Sequence, residues 1–234
     1  MGAIFRREVR SYFTSPIGYI FLAAFYAYSG VMFANYSLES GYTRLDSVFS
    51  ALLIIIIVLI PVLTMRTISE EKRTKTDQCL LTAPVGLGSI VVGKFLAAFL
   101  IYIIAIAITG VFAVIVSAFG TPDWNVVVGN IVALALVGGA YIAIGIFCSS
   151  FTENQIVAAV ISFIALIFVS FLSTIGNLLP FEWLTTVCEK VSFGERYYSF
   201  TYGLFDFSNV VFFLSAIVAF LFLTVSCLLY TSPS

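Results

Sequence analysis

The chain has 234 residues, of which 61% are hydrophobic and 10% are charged, whereas an ordinary soluble domain carries about 25% charged residues. That composition excludes a soluble globular domain and places the chain in lipid. The net charge of -1 is divided between two sides of a membrane, so it selects no partner by itself, and no nucleic-acid partner is expected.

The first feature along the chain is IFRREVRSYF (4–13). A helical turn gathers Ile4, Phe5, Val9, Tyr12 and Phe13 on one half and Arg6, Arg7 and Arg10 on the other. This reads as an amphipathic helix over residues 1–15 lying in the bilayer interface, with arginines toward lipid phosphates and aromatics in the acyl boundary. A plain positive flank of the first span is the other reading. Pro16 and Gly18 then let the chain turn into that span. No short apolar stretch ends in a small-residue cleavage site, so no removable signal peptide is expected.

Clustering of the charges leaves uncharged runs at 11–38, 47–65, 95–122, 124–152, 154–181 and 207–234. Each is long enough for the roughly 20 residues of a spanning helix. Hydrocarbon offers the backbone no hydrogen bonds, and IIIIVLIPVL (54–63) lacks the alternation of a barrel strand. The runs therefore predict an all-α polytopic fold with six transmembrane helices, near 17–38, 48–65, 95–118, 126–148, 155–176 and 208–230. Arg6, Arg7, Arg10, Arg66, Lys72, Arg73, Lys75 and Lys94 fall on one side, while Arg44, Lys190 and Arg196 fall on the other. The positive-inside rule then makes both termini and the 66–94 segment cytoplasmic in a multi-pass membrane protein.

Enzyme chemistry finds little purchase. Histidine is absent, and the cysteines Cys79, Cys148, Cys188 and Cys227 have no paired or metal-ligand spacing. No catalytic residue, cofactor site or metal site is expected in this chain. The spans hold no central ionisable group, which disfavours an ion-coupled carrier. Their polar content is Tyr19, Tyr26, Tyr28, Asn35, Tyr102, Asn130, Tyr141 and Ser162. Interhelical hydrogen bonding accounts for these side chains, and a tyrosine-lined path is the alternative. Small residues in VGGAYIAIG (137–145) predict close helix packing. GLGSIVVGKF (86–95) contains G-x-x-x-x-G-K, but Phe95 stands where a phosphate-binding loop needs Ser or Thr, and no soluble α/β sheet surrounds it.

The segment RTISEEKRTKTDQCLLTAPVGLGSIVVGKFLAA (66–98) is too long for a simple connector, and its EEKR run predicts a short helix along the membrane surface. A span ending in Arg66, then S-E-E-K-R-T-x-T, then L-L-T-A-P-V, then V-G-K-F-L-A, resembles the membrane subunits of the ABC-2 class of ATP-binding-cassette transporters. The resemblance is closest to short six-span permeases typified by gliding-motility and copper-site-maturation systems. SSFTENQIVAAVISF (149–163) is similar to the family's cytoplasmic turn between spans four and five, and FTYGLFDFSNVVFF (200–213) to its approach to the last span. Lys75 departs from the pattern, standing where glycine is expected.

The resemblance implies a single transmembrane domain over residues 1–234, with 66–94 as a cytoplasmic coupling segment and 177–207 as an outer re-entrant segment. From its aromatic residues alone, that outer segment reads equally as a cap over an outward exit or as an interfacial loop. Coupling to an ATPase is assigned to Glu70, Glu71, Lys72, Arg73, Thr76, Pro84 and Glu153. In this family the G-K pair introduces the third span, making Gly93 a small residue at a helix contact and Lys94 an interfacial charge that snorkels. ATP and magnesium belong to separate cytosolic ATPase subunits, two per transporter. A second permease chain, identical or related, completes the path, and the lipid bilayer is the remaining partner. The expected function is ATP-driven export of an envelope-related substrate. A membrane anchor for an ATPase without transport and an ion-coupled carrier or channel are the alternatives. The end, SCLLYTSPS, resembles read-through of a sequencing adapter, so residues from about 227 onward are left out of the functional reading.

Overall fold

A computed structural model describes residues 2–38, 46–75, 86–119, 124–176, 190–201 and 207–231. Among these residues the chain is helical, with no strand. Helix α1 spans Gly2–Thr14 and stops at Ser15, whose hydroxyl accepts from the Ile17 amide at 3.2 Å and so caps α2, Pro16–Phe33. Proline at the first helical position costs no hydrogen bond there and starts the new helix in a fresh direction. Gly18 is required at this elbow, because a Cβ would lie 2.5 Å from the Tyr12 carbonyl oxygen. A π-helical turn, Ala34–Leu38, prolongs α2.

Helix α3, Asp46–Thr64, buries Phe49, Leu52, Ile56, Ile60 and Leu63 at helical spacing. A short helix α4, Ser69–Arg73, follows it. Helix α5, Leu87–Phe119, has 33 residues, or about 50 Å at 1.5 Å per residue. That exceeds the roughly 30 Å hydrocarbon core, so its first turns project beyond the apolar layer. Helix α6, Trp124–Ser149, is the most enclosed span and packs against α3 and α5. Helix α7 covers Gln155–Ser170 and is followed after Phe171 by the single turn α8, Leu172–Gly176. Helix α9, Phe193–Thr201, precedes the last span α10, Phe207–Thr231.

Five of these helices are long and apolar enough to cross a membrane, and α7 is a shorter apolar helix extended by α8. Each of the six expected spans thus has an apolar helix at its place, five of them long enough to cross, with two differences in their limits. The third begins at Leu87 rather than at 95, because Lys94 is tolerated inside the helix. The fifth is broken at Phe171.

Close packing in the centre follows the small residues of α6. A Cβ on Gly138 would overlap the Tyr102 ring, one on Gly145 would strike the Thr64 hydroxyl, and one on Gly139 would lie 3.2 Å from both Phe99 and Ile217. The tyrosines tie neighbouring helices through backbone carbonyls, which in a helix still have a lone pair to offer. Tyr26 donates to Ile104 O at 3.0 Å, Tyr28 to Ala51 O at 3.3 Å and Tyr102 to Leu134 O at 2.7 Å. Tyr141 meets the Ser170 hydroxyl at 2.6 Å.

Lys75 ends the α4 turn with φ 55°, and its amide bonds back to Lys72 O at 3.1 Å. The lysine that stands at the expected glycine position thus adopts a left-handed backbone geometry. A non-glycine residue in that region costs about 1–2 kcal/mol, offset in part by the greater freedom glycine loses on folding, about 0.5–1 kcal/mol. Lys75→Gly is expected to keep or raise the melting temperature in detergent by about 2–4 °C, while β-branched Lys75→Val lowers it. A lower melting temperature for Lys75→Gly contradicts this assignment.

Candidate functional site

The end of α3 leaves its last carbonyls without intrahelical donors, and other elements supply them. The Leu63 carbonyl accepts from the Tyr12 hydroxyl at 3.2 Å. The Met65 carbonyl accepts from the hydroxyls of Ser69 and Ser149. The Thr67 carbonyl accepts from Lys94 Nζ at 2.7 Å. Helix α1, the α3–α4 junction, α5 and the end of α6 therefore meet at one end of the bundle.

Lys94 is the centre of this junction. Its side chain is 2% exposed, and the ammonium lies 2.8 Å from Glu71 Oε1 and 3.4 Å from Glu8 Oε1. The snorkelling expected of Lys94 is corrected by this arrangement: the amine turns inward because two carboxylates and a carbonyl await it there. Arg7 closes the same pair from the solvent side, at 2.7 Å from Glu8 and 3.0 Å from Glu71. Its guanidinium pKa is raised, chiefly by the hydrogen bond to Glu8. Gly93 is a helix contact as expected, since a Cβ there would lie 3.1 Å from Ile4 and hold α1 off α5. The G-x-x-x-x-G-K stretch lies inside α5, so its amides serve the helix rather than a phosphate.

A second pair flanks the first. Arg66 grips Glu70 with two bonds, Nε to Oε2 at 2.5 Å and Nη2 to Oε1 at 2.8 Å, and its Nη1 donates to the Ser15 hydroxyl at 3.0 Å. The hydrogen bond from Arg66 holds the Glu70 carboxyl below its ordinary pKa of 4.5. A depressed carboxylate stabilises the fold above its unfolded pKa, so this contribution is present at neutral pH and is lost as the pH falls below about 4.5. Both side chains are about one-third exposed, which keeps it small. Burial pushes the Tyr12 phenol up to about 12. These groups line a polar cavity of ≈ 340 Å³ between α1, α3, α4 and α5.

Helix α4 is fastened on its remaining side as well. The Ser149 hydroxyl accepts from the amides of Ile68 at 3.3 Å and Ser69 at 3.1 Å, capping α4 from another helix. Lys72 Nζ donates to Ser150 O at 2.5 Å. The two segments that the sequence reading assigned to coupling are therefore joined, 66–75 with the 149–154 turn.

The individual residues divide into three groups. Glu70, Glu71 and Lys72 face inward and hold α4, whereas Arg73 and Glu153 are exposed. Thr76 and Pro84 lie outside the described residues. Arg6 and Arg10 are exposed on α1, while Arg7 enters the network. The apolar half of α1 packs in part on its own chain, against α5, rather than wholly into lipid. At the far end of the bundle, Phe193 of α9 is stacked on Tyr141 with ring centres 5.9 Å apart, and Tyr197 donates to Phe49 O at 2.8 Å. Gly194 is obligatory there, as a Cβ would lie 2.6 Å from the Ser170 carbonyl oxygen. The remaining parts of the outer segment, 177–189 and 202–206, lie outside the described residues.

A family model described as ABC-2 family transporter protein matches residues 4–231. The chain belongs to this family. It is a multi-pass permease subunit of an ATP-binding-cassette transporter, a class that works with an ATPase subunit at the membrane. No curated protein matches the sequence.

The permease's Glu8 was passed over in sequence, because its sign ran against the arginines around it. One signal could have found it: in a helix, position 8 falls on the same face as Ile4, Tyr12 and Phe5, where a lone carboxylate needs a buried cation. Removing Lys94 takes away the buried partner of both carboxylates and leaves them to Arg7 alone, on the solvent side. Lys94→Met is expected to cost about 3–5 kcal/mol, the usual effect of breaking one member of a buried pair. Glu8→Gln costs less, because Glu71 still pairs the ammonium. Thermal unfolding of the purified permease checks this, and equal melting temperatures for wild type and Lys94→Met contradict it.

Proposed function

We propose that this permease is the membrane half of an exporter whose ATPase subunits dock against α4 and the 149–154 turn. The match over residues 4–231 carries this reading, and the anchoring of α4 supports it. A displacement applied to a five-residue helix held by Lys94, Arg66, Ser149 and Ser150 moves α1, α3, α5 and α6 together. Those inward bonds leave Arg73, Lys75 and Glu153 as exposed charges for the ATPase, so docking and transmission fall to different residues. ATP and magnesium bind in the partner, two ATPase subunits serve each transporter, and a second permease chain encloses the path. The cargo is an envelope-related substrate moved outward. Both termini, α4 and the 149–154 turn face the cytoplasm of an inner-membrane protein, and α9 closes the outer end of the bundle as a re-entrant plug.

Two measurements test this. In a cysteine-free background, a cysteine at Lys190 is expected to react with an impermeant maleimide applied to intact cells, and one at Arg73 is not. The reverse pattern overturns the orientation. Arg73→Glu is expected to reduce co-purification of the ATPase about tenfold or more, because truncating or reversing one member of a desolvated contact pair costs roughly 2–5 kcal/mol. Its melting temperature is unchanged. Undiminished recovery of the ATPase removes Arg73 from the docking surface.

A further inference from the structure

Beside the buried side of α1 runs a second groove of opposite character. It is apolar, ≈ 480 Å³ in volume, and bordered by Gly2 and Phe5 of α1 and by Gly93, Leu96, Leu100 and Ile103 of α5. The α5 residues recur every three to four positions and so form one stripe, about 15 Å long from Gly93 to Ile103 at 1.5 Å per residue. The groove opens outward, with Leu96 43% exposed. It runs along α5 from Gly93 to Ile103, within the apolar length Leu87–Ala118.

Around α1, at 100° per residue, Arg6 and Arg10 lie about 40° and 80° from Gly2, on the flank turned away from Glu8. Both are exposed, and neither has an ion-pair partner among the described residues. Arg7, by contrast, is committed to Glu8 and Glu71. Arg6 and Arg10 thus lie on the flank of α1 beside the groove without lining it, as two uncommitted cations next to an apolar cleft. A protein helix of the same 15 Å reach and ~10 Å diameter would fill on the order of 1,200 Å³, more than the ≈ 860 Å³ of empty space in the groove. A single acyl chain is the slimmer occupant.

We propose that the α1–α5 groove is a binding site for an anionic glycerophospholipid, with one acyl chain along Gly93, Leu96, Leu100 and Ile103 and its phosphate against Arg6 and Arg10. Charge complementarity selects an anionic headgroup over a zwitterionic one, and the groove distinguishes the site from general attraction to the bilayer surface. Bound lipid bridges α1 and α5 outside the Lys94 junction, so the seating of α1 depends on the acidic lipid content of that leaflet.

The test is native mass spectrometry of the full chain in detergent, titrated with phosphatidylglycerol or phosphatidylcholine. Wild type is expected to retain phosphatidylglycerol preferentially. Arg6→Gln with Arg10→Gln lowers that retention by about fivefold per arginine removed and leaves phosphatidylcholine unchanged. Leu96→Trp, an exposed position that tolerates the larger ring, fills the groove and lowers retention of both lipids. Glycerol 3-phosphate, which has the charge without the chain, does not compete. Equal phosphatidylglycerol retention in wild type and the arginine variant overturns the site. So does undiminished retention in Leu96→Trp, or displacement by glycerol 3-phosphate, because either outcome reduces the effect to surface charge.

Discussion

One buried ammonium group organises the end of this bundle. Lys94 has left water for a site where two carboxylates and the Thr67 carbonyl meet it within 3.4 Å. Taking an unpaired charge out of water costs several kcal/mol, so the ammonium stays buried only while a carboxylate partner remains beside it. Each member comes from a different part of the chain. Glu8 belongs to α1, Thr67 and Glu71 to the α3–α4 junction, and Lys94 to α5, so the charge requirement becomes a requirement that these elements stay together.

The rest of the structure is consistent with a load carried across that junction. Gly93 and Gly18 remove side chains where α1 must lie close to α5 and turn into α2. Gly138 and Gly145 do the same where α6 meets α5 and α3. With Tyr102 and Tyr141 bonded across helices, the centre has few soft contacts through which a displacement of α4 could dissipate. By contrast α10 and the outer face of α7 present Val218, Phe222, Ile156 and Ile164 to their surroundings, as expected of surfaces whose solvent is lipid. The closely packed contacts are those of the elements joined to α4, and the exposed faces of α7 and α10 lie at the lipid boundary.

The spans were legible in sequence because hydrocarbon imposes a simple rule, an uncharged run of sufficient length, and α2, α3, α6 and α10 obey it. The same rule misplaced the start of α5, since Lys94 was treated as the end of an apolar stretch when its charge is neutralised within the fold. Tyr26, Tyr28, Tyr102 and Tyr141 were readable as interhelical donors because a phenol in lipid has few other options. Glycine's absence at position 75 was readable too, yet only the backbone shows that lysine keeps the left-handed turn. The pairing of Lys94 was not legible. Glu8 stands 86 positions away, and a lysine at a helix edge has the same appearance whether it snorkels or turns inward. For the same reason the sequence assigned Glu70, Glu71 and Lys72 to coupling without showing that neighbours in the fold make them the fastenings of α4.

The central claim is that Lys94 and Glu71 hold α4 to α5 through a direct interaction rather than through separate effects on each helix. A double-mutant cycle of Lys94→Met and Glu71→Gln, followed by unfolding of the purified chain in detergent, measures that interaction. The account predicts a double variant less destabilised than the sum of the single ones, with a coupling energy of about 1 kcal/mol or more. Strict additivity would contradict it.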